Sequence, residues 1–219
     1  MKKIITFLFA IFFAPSISFA VPKYYIEGQI NYTQVDDVDT TTYSDTINGD
    51  AIVGKLTNEY DTDTGYGFEI GSKNVFDSKL RVGLSYNKLK IKLKKLTVSG
   101  TVNGVAGSES YTPAQVSAEG LNFDNDVKSY SLNAYYDFET NGNLTPYVGF
   151  GLGQVDIQNA NDKELSKSLY LGGRYSVNDQ MYIGLKGMYS QIDGPTDKIG
   201  ITYEDITQKT LSLIVGYNF

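Results

Sequence analysis

The stretch YYIEGQINY at residues 24–32 decides the fold of this chain of 219 residues. Its side chains alternate with a period of two. One face consists of Tyr24, Ile26, Gly28, Ile30 and Tyr32, and the other consists of Tyr25, Glu27, Gln29 and Asn31. Such alternation indicates a β-strand, and about ten residues is the length of a tilted strand that crosses a lipid bilayer. We therefore predict a membrane-spanning strand here.

The same alternation returns in seven further segments. Together they predict strands near residues 23–35, 64–73, 79–91, 126–139, 145–155, 166–177, 180–192 and 206–219. The central positions of the face that we assign to the outside carry no charge, whereas the other face is rich in glycine, as the interior of a narrow closed barrel requires. The prediction is an all-β fold, an eight-stranded antiparallel up-and-down transmembrane β-barrel. A soluble β-sandwich is the disfavoured alternative, because its outer face would carry bulky polar residues.

The first twenty residues have the organisation of a secretory signal. Lys2 and Lys3 precede an apolar core at residues 4–13, and the small residues Ser18 and Ala20 occupy the positions that a signal peptidase reads. The apolar run falls short of the roughly 20 residues of a transmembrane helix. We expect cleavage after Ala20, which leaves one barrel domain at residues 21–219.

Connections between the predicted strands alternate between short and long. The long ones lie near residues 36–63, 92–125, 156–165 and 193–205. Outer-membrane barrels keep short turns in the periplasm and long loops outside. The four long segments are therefore predicted to be surface loops, with both termini in the periplasm.

The composition excludes several functions. The chain has no cysteine and no histidine, so thiolate metal clusters, cysteine nucleophiles and the usual general base are absent. The net charge of −6 argues against nucleic acid, which favours a basic surface. We expect no enzymatic activity, no cofactor and no metal site.

Two further sequence patterns bear on the family of the chain. They are the run TPYVGFGLG at residues 145–153 and the terminal pattern Leu213-x-Val215-x-Tyr217-x-Phe219. With the signal and the eight strands, they resemble the eight-stranded outer membrane protein beta-barrel family, which includes opacity-type, surface-antigen and small porin-family proteins. The resemblance implies a place in the bacterial outer membrane and contact with its lipid, including lipopolysaccharide. It also implies that the barrel assembly machinery reads the C-terminal pattern. Roles differ widely within this family, so the resemblance names no function.

Six charged residues fall on the lumenal face of the predicted strands. They are Glu27, Glu69, Arg81, Asp137, Arg174 and Lys186. Because unpaired charges in a narrow lumen are costly, we expect an ion-pair cluster that plugs the barrel, with Glu69 near Arg81. The alternative is separate hydration of each charge in a continuous water column, which would make the protein a pore.

Charged residues also cluster in the long segments. Asp36, Asp37, Asp39, Asp61 and Asp63 suggest calcium, but the spacing lacks a third ligand and a bidentate glutamate, so solvated acidic loops are favoured. A basic run follows the third strand, at Lys88, Lys90, Lys92, Lys94 and Lys95. A charged strand extension is the favoured interpretation, and contact with lipopolysaccharide phosphates is the alternative.

Two functions follow from this architecture. The favoured one is a surface-exposed structural or interaction protein that acts through its loops, in envelope integrity or in contact with a host or neighbouring cell. The alternative is a small porin or a conduit for small or apolar solutes. Occupancy of the lumen distinguishes them, because eight strands leave a space that side chains can fill.

Overall fold

The computed structural model describes residues 24–47, 50–198 and 200–219. These residues form thirteen strands and one short helix. The strands are β1 Tyr24–Val35, β2 Val38–Asp39, β3 Tyr43–Ile47, β4 Asp50–Tyr60, β5 Asp63–Val75, β6 Leu80–Ile91, β7 Leu93–Val102, β8 Val105–Tyr111, β9 Asn125–Asp137, β10 Leu144–Ile157, β11 Lys163–Ser176, β12 Met181–Ile192 and β13 Ile206–Asn218, and the helix is α1 Pro113–Ala118. No helix among these residues has the length and apolarity needed to cross a membrane. The predicted cleavage site at Ser18 and Ala20 lies outside the described residues.

Eight of the strands close into a barrel. Its order is β1, β5, β6, β9, β10, β11, β12 and β13, and every neighbouring pair is antiparallel. The last strand pairs with the first from Tyr25↔Asn218 to Val35↔Gln208, so the sheet has no open edge. The predicted up-and-down barrel is confirmed, with strand bounds within three residues of the predicted ones.

The two faces of the wall are those that the alternation predicts. On the outside, Ile30 and Leu171 expose 60% and 68% of their surface, whereas the inward Tyr25 and Ile214 are fully buried. Exposed apolar side chains on a closed barrel suit lipid tails, and closure gives every strand of the wall a hydrogen-bonded neighbour on both sides. The predicted frames of all eight strands are confirmed.

The barrel has two different ends. At one end, which we call the turn end, short connections at residues 76–79, 138–143 and 177–180 join the strands. At the other, the loop end, lie the four long connections. The chain enters β1 and leaves β13 at the turn end, because Tyr24 and Phe219 exchange backbone hydrogen bonds of 2.9 Å there.

Two of the long connections fold into a second sheet, where the sequence analysis expected loops. This loop-end sheet has the order β2, β4, β7 and β8, with β3 also paired to β4. Strand β4 leads into β5 and β6 leads into β7, so the sheet continues a barrel hairpin beyond the membrane. The turn between β7 and β8 is Asn103-Gly104, where both residues have positive φ, as a tight two-residue hairpin requires. The described residues of the first two long segments are therefore largely β-structure, with helix α1 in the second.

Helix α1 packs against this sheet. Thr112 caps it, with its side chain accepting a hydrogen bond from the Gln115 N–H. Val116 on the helix joins Leu93 and Leu96 of β7 in a small apolar core. These contacts hold the segment between β8 and β9 over the loop end of the barrel.

Candidate functional site

Six charged side chains point into the lumen near the turn end, and we call them the charged layer. They are Glu27 on β1, Glu69 on β5, Arg81 on β6, Asp137 on β9, Arg174 on β11 and Lys186 on β12. All but Asp137 are at most 5% exposed. Three carboxylates face three cations, so the layer as a whole is neutral, which is the condition for burying charge at acceptable cost.

Two carboxylates of this layer lie side by side. Glu27 and Glu69 are direct cross-strand partners on β1 and β5, where like charges repel. Lys186 bridges them, since its Nζ donates a 2.7 Å hydrogen bond to Glu27 Oε1 and lies 3.9 Å from Glu69 Oε2. The Tyr182 hydroxyl donates to Glu27 Oε2 at 3.1 Å. The repulsion between the two carboxylates is thus offset by a shared cation.

Glu69 is fully buried and accepts three hydrogen bonds. The hydroxyls of Tyr25 and Tyr135 donate at 2.5 Å and 2.7 Å, and the Asn133 Nδ2 donates at 2.8 Å. The Tyr170 hydroxyl in turn donates to Asn133 Oδ1 at 3.0 Å. A carboxylate satisfied in this way keeps its charge inside the barrel without water.

Arg81 is the central cation of the layer. Its guanidinium lies 3.5 Å from Glu69, 3.9 Å from Glu27 and 3.7 Å from Asp137. It also lies 4.1 Å from the ring centroid of Tyr135, with further tyrosine rings around it. None of its three nitrogens makes a hydrogen bond within the described residues. Ion pairing and cation–π contact therefore hold this cation.

Arg174 and Asp137 complete the layer as an ion pair on the turn-end side. The Arg174 guanidinium lies 5.7 Å from the Tyr147 ring centroid and 5.2 Å from that of Tyr182. The Asp137 side chain retains 16% exposure. This pair therefore marks where the lumen meets solvent at the turn end.

The inward tyrosines fit because glycines lie beneath them. A Cβ atom at Gly216 would lie 1.9 Å from Tyr182 Cζ, and one at Gly71 would lie 2.6 Å from Tyr25 Cε1. Both glycines are cross-strand partners of the tyrosine that covers them. The glycine-rich inner face thus leaves room for a layer of aromatic rings.

The structure brings the six predicted lumenal residues together and places Glu69 next to Arg81. The sequence analysis did not include the tyrosines in the site, although Tyr135 and Tyr182 lie on the predicted lumenal face. The sequence feature that could have identified them is an inward tyrosine that pairs with a glycine on the neighbouring strand. The terminal Leu213, Val215, Tyr217 and Phe219 all face outward and are 40% to 58% exposed.

Above the charged layer the lumen is lined by uncharged polar side chains, many of them serine, asparagine and threonine. Only about 40 Å³ of free volume remains there, which is on the order of the space of a single water molecule. The Ser212 hydroxyl bonds to Asn31 Oδ1 at 2.8 Å, and the hydroxyls of Ser168 and Ser190 are 3.0 Å apart. Side chains therefore fill this part of the barrel.

At the loop end the inward residues become apolar and surround a cavity of about 250 Å³. Two buried apolar clusters border it, one around Val35 and Leu89 and the other around Ile157 and Ile192. The cavity lies beneath the segments that follow α1 and β12.

Several acidic residues of the long segments pair with lysines. Asp36 binds Lys209 at 2.7 Å, and Asp39 binds Lys55 and the Thr57 hydroxyl. The pKa of Asp39 is held below its usual value by these two hydrogen bonds, which outweigh the opposing effect of its partial burial. Within the described residues, no group of acidic side chains is arranged to hold a metal ion.

The predicted basic run lies on strands. Lys88 and Lys90 are on β6, and Lys94 and Lys95 are on β7. Lys88 lies 3.5 Å from Asp126, and both Lys94 and Lys95 pair with Glu59. The run is thus a charged strand extension in which most cations already face a carboxylate.

A closed eight-stranded barrel with an apolar outer wall and a charged, side-chain-filled lumen defines a β-barrel protein of the bacterial outer membrane. Comparison with known families agrees. The chain belongs to the outer membrane protein beta-barrel domain family, whose model matches residues 5–219.

Solved structures show the same fold at low sequence identity. Neisserial surface protein A is 14% identical, with a TM-score of 0.53 over 90% of this chain and 97% of that chain. The outer membrane protein AlkL is 16% identical, with a TM-score of 0.50 over 94% of each chain. A search of curated protein sequences finds no match.

Proposed function

We propose that this protein is a non-enzymatic, surface-exposed structural or interaction protein that displays its loop-end sheet from a closed barrel. The observation that carries the proposal is the charged layer, in which Glu27, Glu69, Arg81, Asp137, Arg174 and Lys186 neutralise one another across the lumen. With the lumen filled, the barrel serves as an anchor. The part left for contact with the surroundings is the folded β-structure at the loop end.

Orientation follows from the lengths of the connections, because such barrels place long connections at the cell surface. The loop-end sheet then faces outward, and both chain ends lie in the periplasm. The chain has no cysteine, so single cysteines report orientation cleanly. Val105, 74% exposed on the loop-end sheet, and Phe76, 85% exposed in a turn, are suitable positions. In intact cells a membrane-impermeant maleimide should label Val105→Cys and spare Phe76→Cys. The opposite pattern contradicts the proposed display.

The absence of catalysis is supported by how the buried charges are used. Glu27 and Glu69 are each held by a cation and by hydroxyl donors. The chain offers no histidine to deprotonate a nucleophile. A carboxylate that is buried and already held by a cation and by hydroxyl donors is poorly placed to exchange a proton with a substrate.

The partners proposed for the barrel are those of its membrane. The exposed apolar wall is the proposed contact with lipid, and Lys90 and Lys92 are the proposed contacts with lipopolysaccharide phosphates. During biogenesis the outward pattern that ends in Phe219 is the proposed signal for the assembly machinery. A ligand on a host or neighbouring cell would meet the loop-end sheet.

A conduit for apolar solutes is the second candidate, and the cavity at the loop end favours it. Single-channel recording in planar bilayers separates the two. The conductance of the proposed closed barrel should stay near the baseline of the protein-free bilayer. Arg81→Ala should raise the conductance, because it leaves the carboxylates of the charged layer in excess of its cations. A wild-type protein that conducts steadily, with no change on this substitution, would establish an open pore instead.

The surface role itself is tested by removing the outer part of the loop-end sheet. In such a variant, residues 98–109 are replaced by Asn-Gly, and the barrel strands are untouched. Cells that carry it should lose contact with a surface that wild-type cells bind, or should leak periplasmic protein, while the barrel remains folded by its heat-modifiable gel mobility. If neither property changes, the loop-end sheet has no such role.

A further inference from the structure

The inward side chains are charged near the turn end of the barrel and apolar near the loop end, where the cavity lies. Near the turn end, β1 and β6 point Glu27 and Arg81 inward, whereas near the loop end the same inward frames carry Val35, Leu89 and Ile91. The inward frames of β10 and β12 likewise end in Ile157 and Ile192, each at most 8% exposed. A cavity of about 250 Å³ remains among these side chains. Asn125, Asn159 and Gln208 add polar groups to a lining that is mostly apolar, and the apolar side chains there lack packing partners unless a ligand fills the space.

The cavity can be reached from the loop end. Its floor residues Val35 and Ile192 are buried, whereas the rim residues Leu121, Asn122 and Lys198 are exposed. Leu121 keeps 46% of its surface accessible at this rim. The cavity therefore opens toward the side on which the loop-end sheet lies.

One wall supplies polar groups. Tyr60, Tyr203 and Asp197 line the cavity, and the Asp197 carboxylate already accepts hydrogen bonds from the Tyr203 hydroxyl at 3.3 Å and from the Ile201 N–H at 2.8 Å. Burial raises the pKa of Tyr60 to about 12, so its hydroxyl stays neutral and can donate a hydrogen bond. Lys198 at the rim already donates to the Gln158 carbonyl at 2.6 Å. The interior is thus suited to an uncharged ligand that carries a hydrogen-bond acceptor.

We propose that this cavity binds a small, uncharged, mostly hydrocarbon molecule with one hydrogen-bond acceptor, which enters from the loop end. Cavities of about 150 Å³ with apolar walls hold benzene, so a ligand here would have about ten non-hydrogen atoms. The site goes beyond the proposed surface role and does not depend on it.

The site is a dead end. Below it the lumen keeps only about 40 Å³ of free space and then meets the charged layer. Beside the cavity, β1 pairs with β13 as far as Val35↔Gln208 and β6 pairs with β9 as far as Ile91↔Asn125, whereas β5 and β6 pair as far as Tyr66↔Lys88. The filled lumen below therefore offers a bound molecule no exit at the turn end.

Methyl NMR of the whole barrel in lipid nanodiscs tests the proposal, with acetophenone as the probe because it is an uncharged aromatic ketone of suitable size. Ile157, Ile192 and Ile206 line the cavity, whereas Ile30 and Ile183 face lipid and report partition into the bilayer. We expect saturable shifts of the first group and a linear response of the second. Linear shifts in both groups would overturn the site.

A matched pair of substitutions adds a second criterion. Ala160 lines the cavity and Ala134 faces lipid, so Ala160→Phe fills the site while Ala134→Phe adds the same ring outside. Ala160→Phe should weaken acetophenone binding by about tenfold or more, a change of about 1.4 kcal/mol at tenfold, and Ala134→Phe should leave it unchanged. Equal binding in both variants, or tighter binding of benzoate than of acetophenone, would overturn the proposal. If Ala160→Phe fails to fold, the wild-type isoleucine shifts still decide.

Discussion

Replacing Arg81 by methionine removes the central cation of the charged layer and keeps most of the side-chain volume. Its contacts with Glu69, Asp137 and Glu27 span 3.5 to 3.9 Å. At an effective dielectric constant of about 20, each is worth about 4–5 kcal/mol before opposing terms. Repulsion from Lys186 and the cost of burying the guanidinium offset most of that sum. We expect a net loss of about 3–5 kcal/mol in the free energy of unfolding, as for other buried pairs that lose one partner.

Urea unfolding of the refolded barrel in lipid vesicles, followed by its heat-modifiable gel mobility, measures this loss. Lys94→Met is the matched control, because Lys94 is 61% exposed beside Glu59 and should change stability by less than about 0.5 kcal/mol. Adding Glu69→Gln to Arg81→Met restores neutrality and should recover part of the loss. A methionine variant as stable as wild type, or a double variant less stable than the single one, would refute the reasoning that ion pairing closes the lumen.

Three further outcomes follow from the same structure. Deleting Phe219, which faces lipid and stacks near Tyr24 at 6.0 Å, should reduce the folded protein in isolated outer membranes, and undiminished insertion would contradict its assembly role. Leu132→Arg should cost about 2–4 kcal/mol near mid-bilayer, whereas the same change at the exposed Val105 should cost almost nothing in urea titrations. Gly216→Val should lower the free energy of unfolding by about 1–3 kcal/mol or more, because the added side chain overpacks the lumen. Gly28→Val is the control and should be tolerated, since no atom lies within 4 Å of the added Cβ. Equal losses in the two variants would contradict the packing of tyrosine rings over glycines.

Much of the barrel is predictable because a single physical rule governs every strand. A side chain that faces lipid is apolar and one that faces the lumen need not be, so a period of two is enough to place Glu69 and Arg81 inside and Leu132 outside. Once these charges are confined to one lumen, neutrality predicts that they pair. Neither step needs the register between strands.

The loop-end sheet was missed although part of its signal is present. On β4 the residues Ile52, Leu56 and Tyr60 share one face, but Gly54 and Asn58 interrupt that face and Val53 is apolar on the other, and a register shift between Glu59 and Tyr60 disturbs the pairing of β4 with β7. Because long connections in such barrels are usually loops, the sequence analysis predicted a loop here in spite of this short apolar pattern. Whether such a segment pairs depends on a partner strand more than thirty residues away, which periodicity alone does not identify.

The tyrosines and the cavity escaped prediction for another reason, since both depend on register. Tyr182 fits because Gly216 is its neighbour on β13, and a shift of two residues would place Tyr182 against the larger Ile214 or the end of the strand. The cavity depends on how the segments around Leu121 and Pro195 close over apolar side chains. The inward-facing residues of β1, β6, β10 and β12 all become apolar at the loop end. The same lumen holds paired charges at the turn end. The loop end is therefore suited to binding a ligand, and the turn end is suited to closing the barrel.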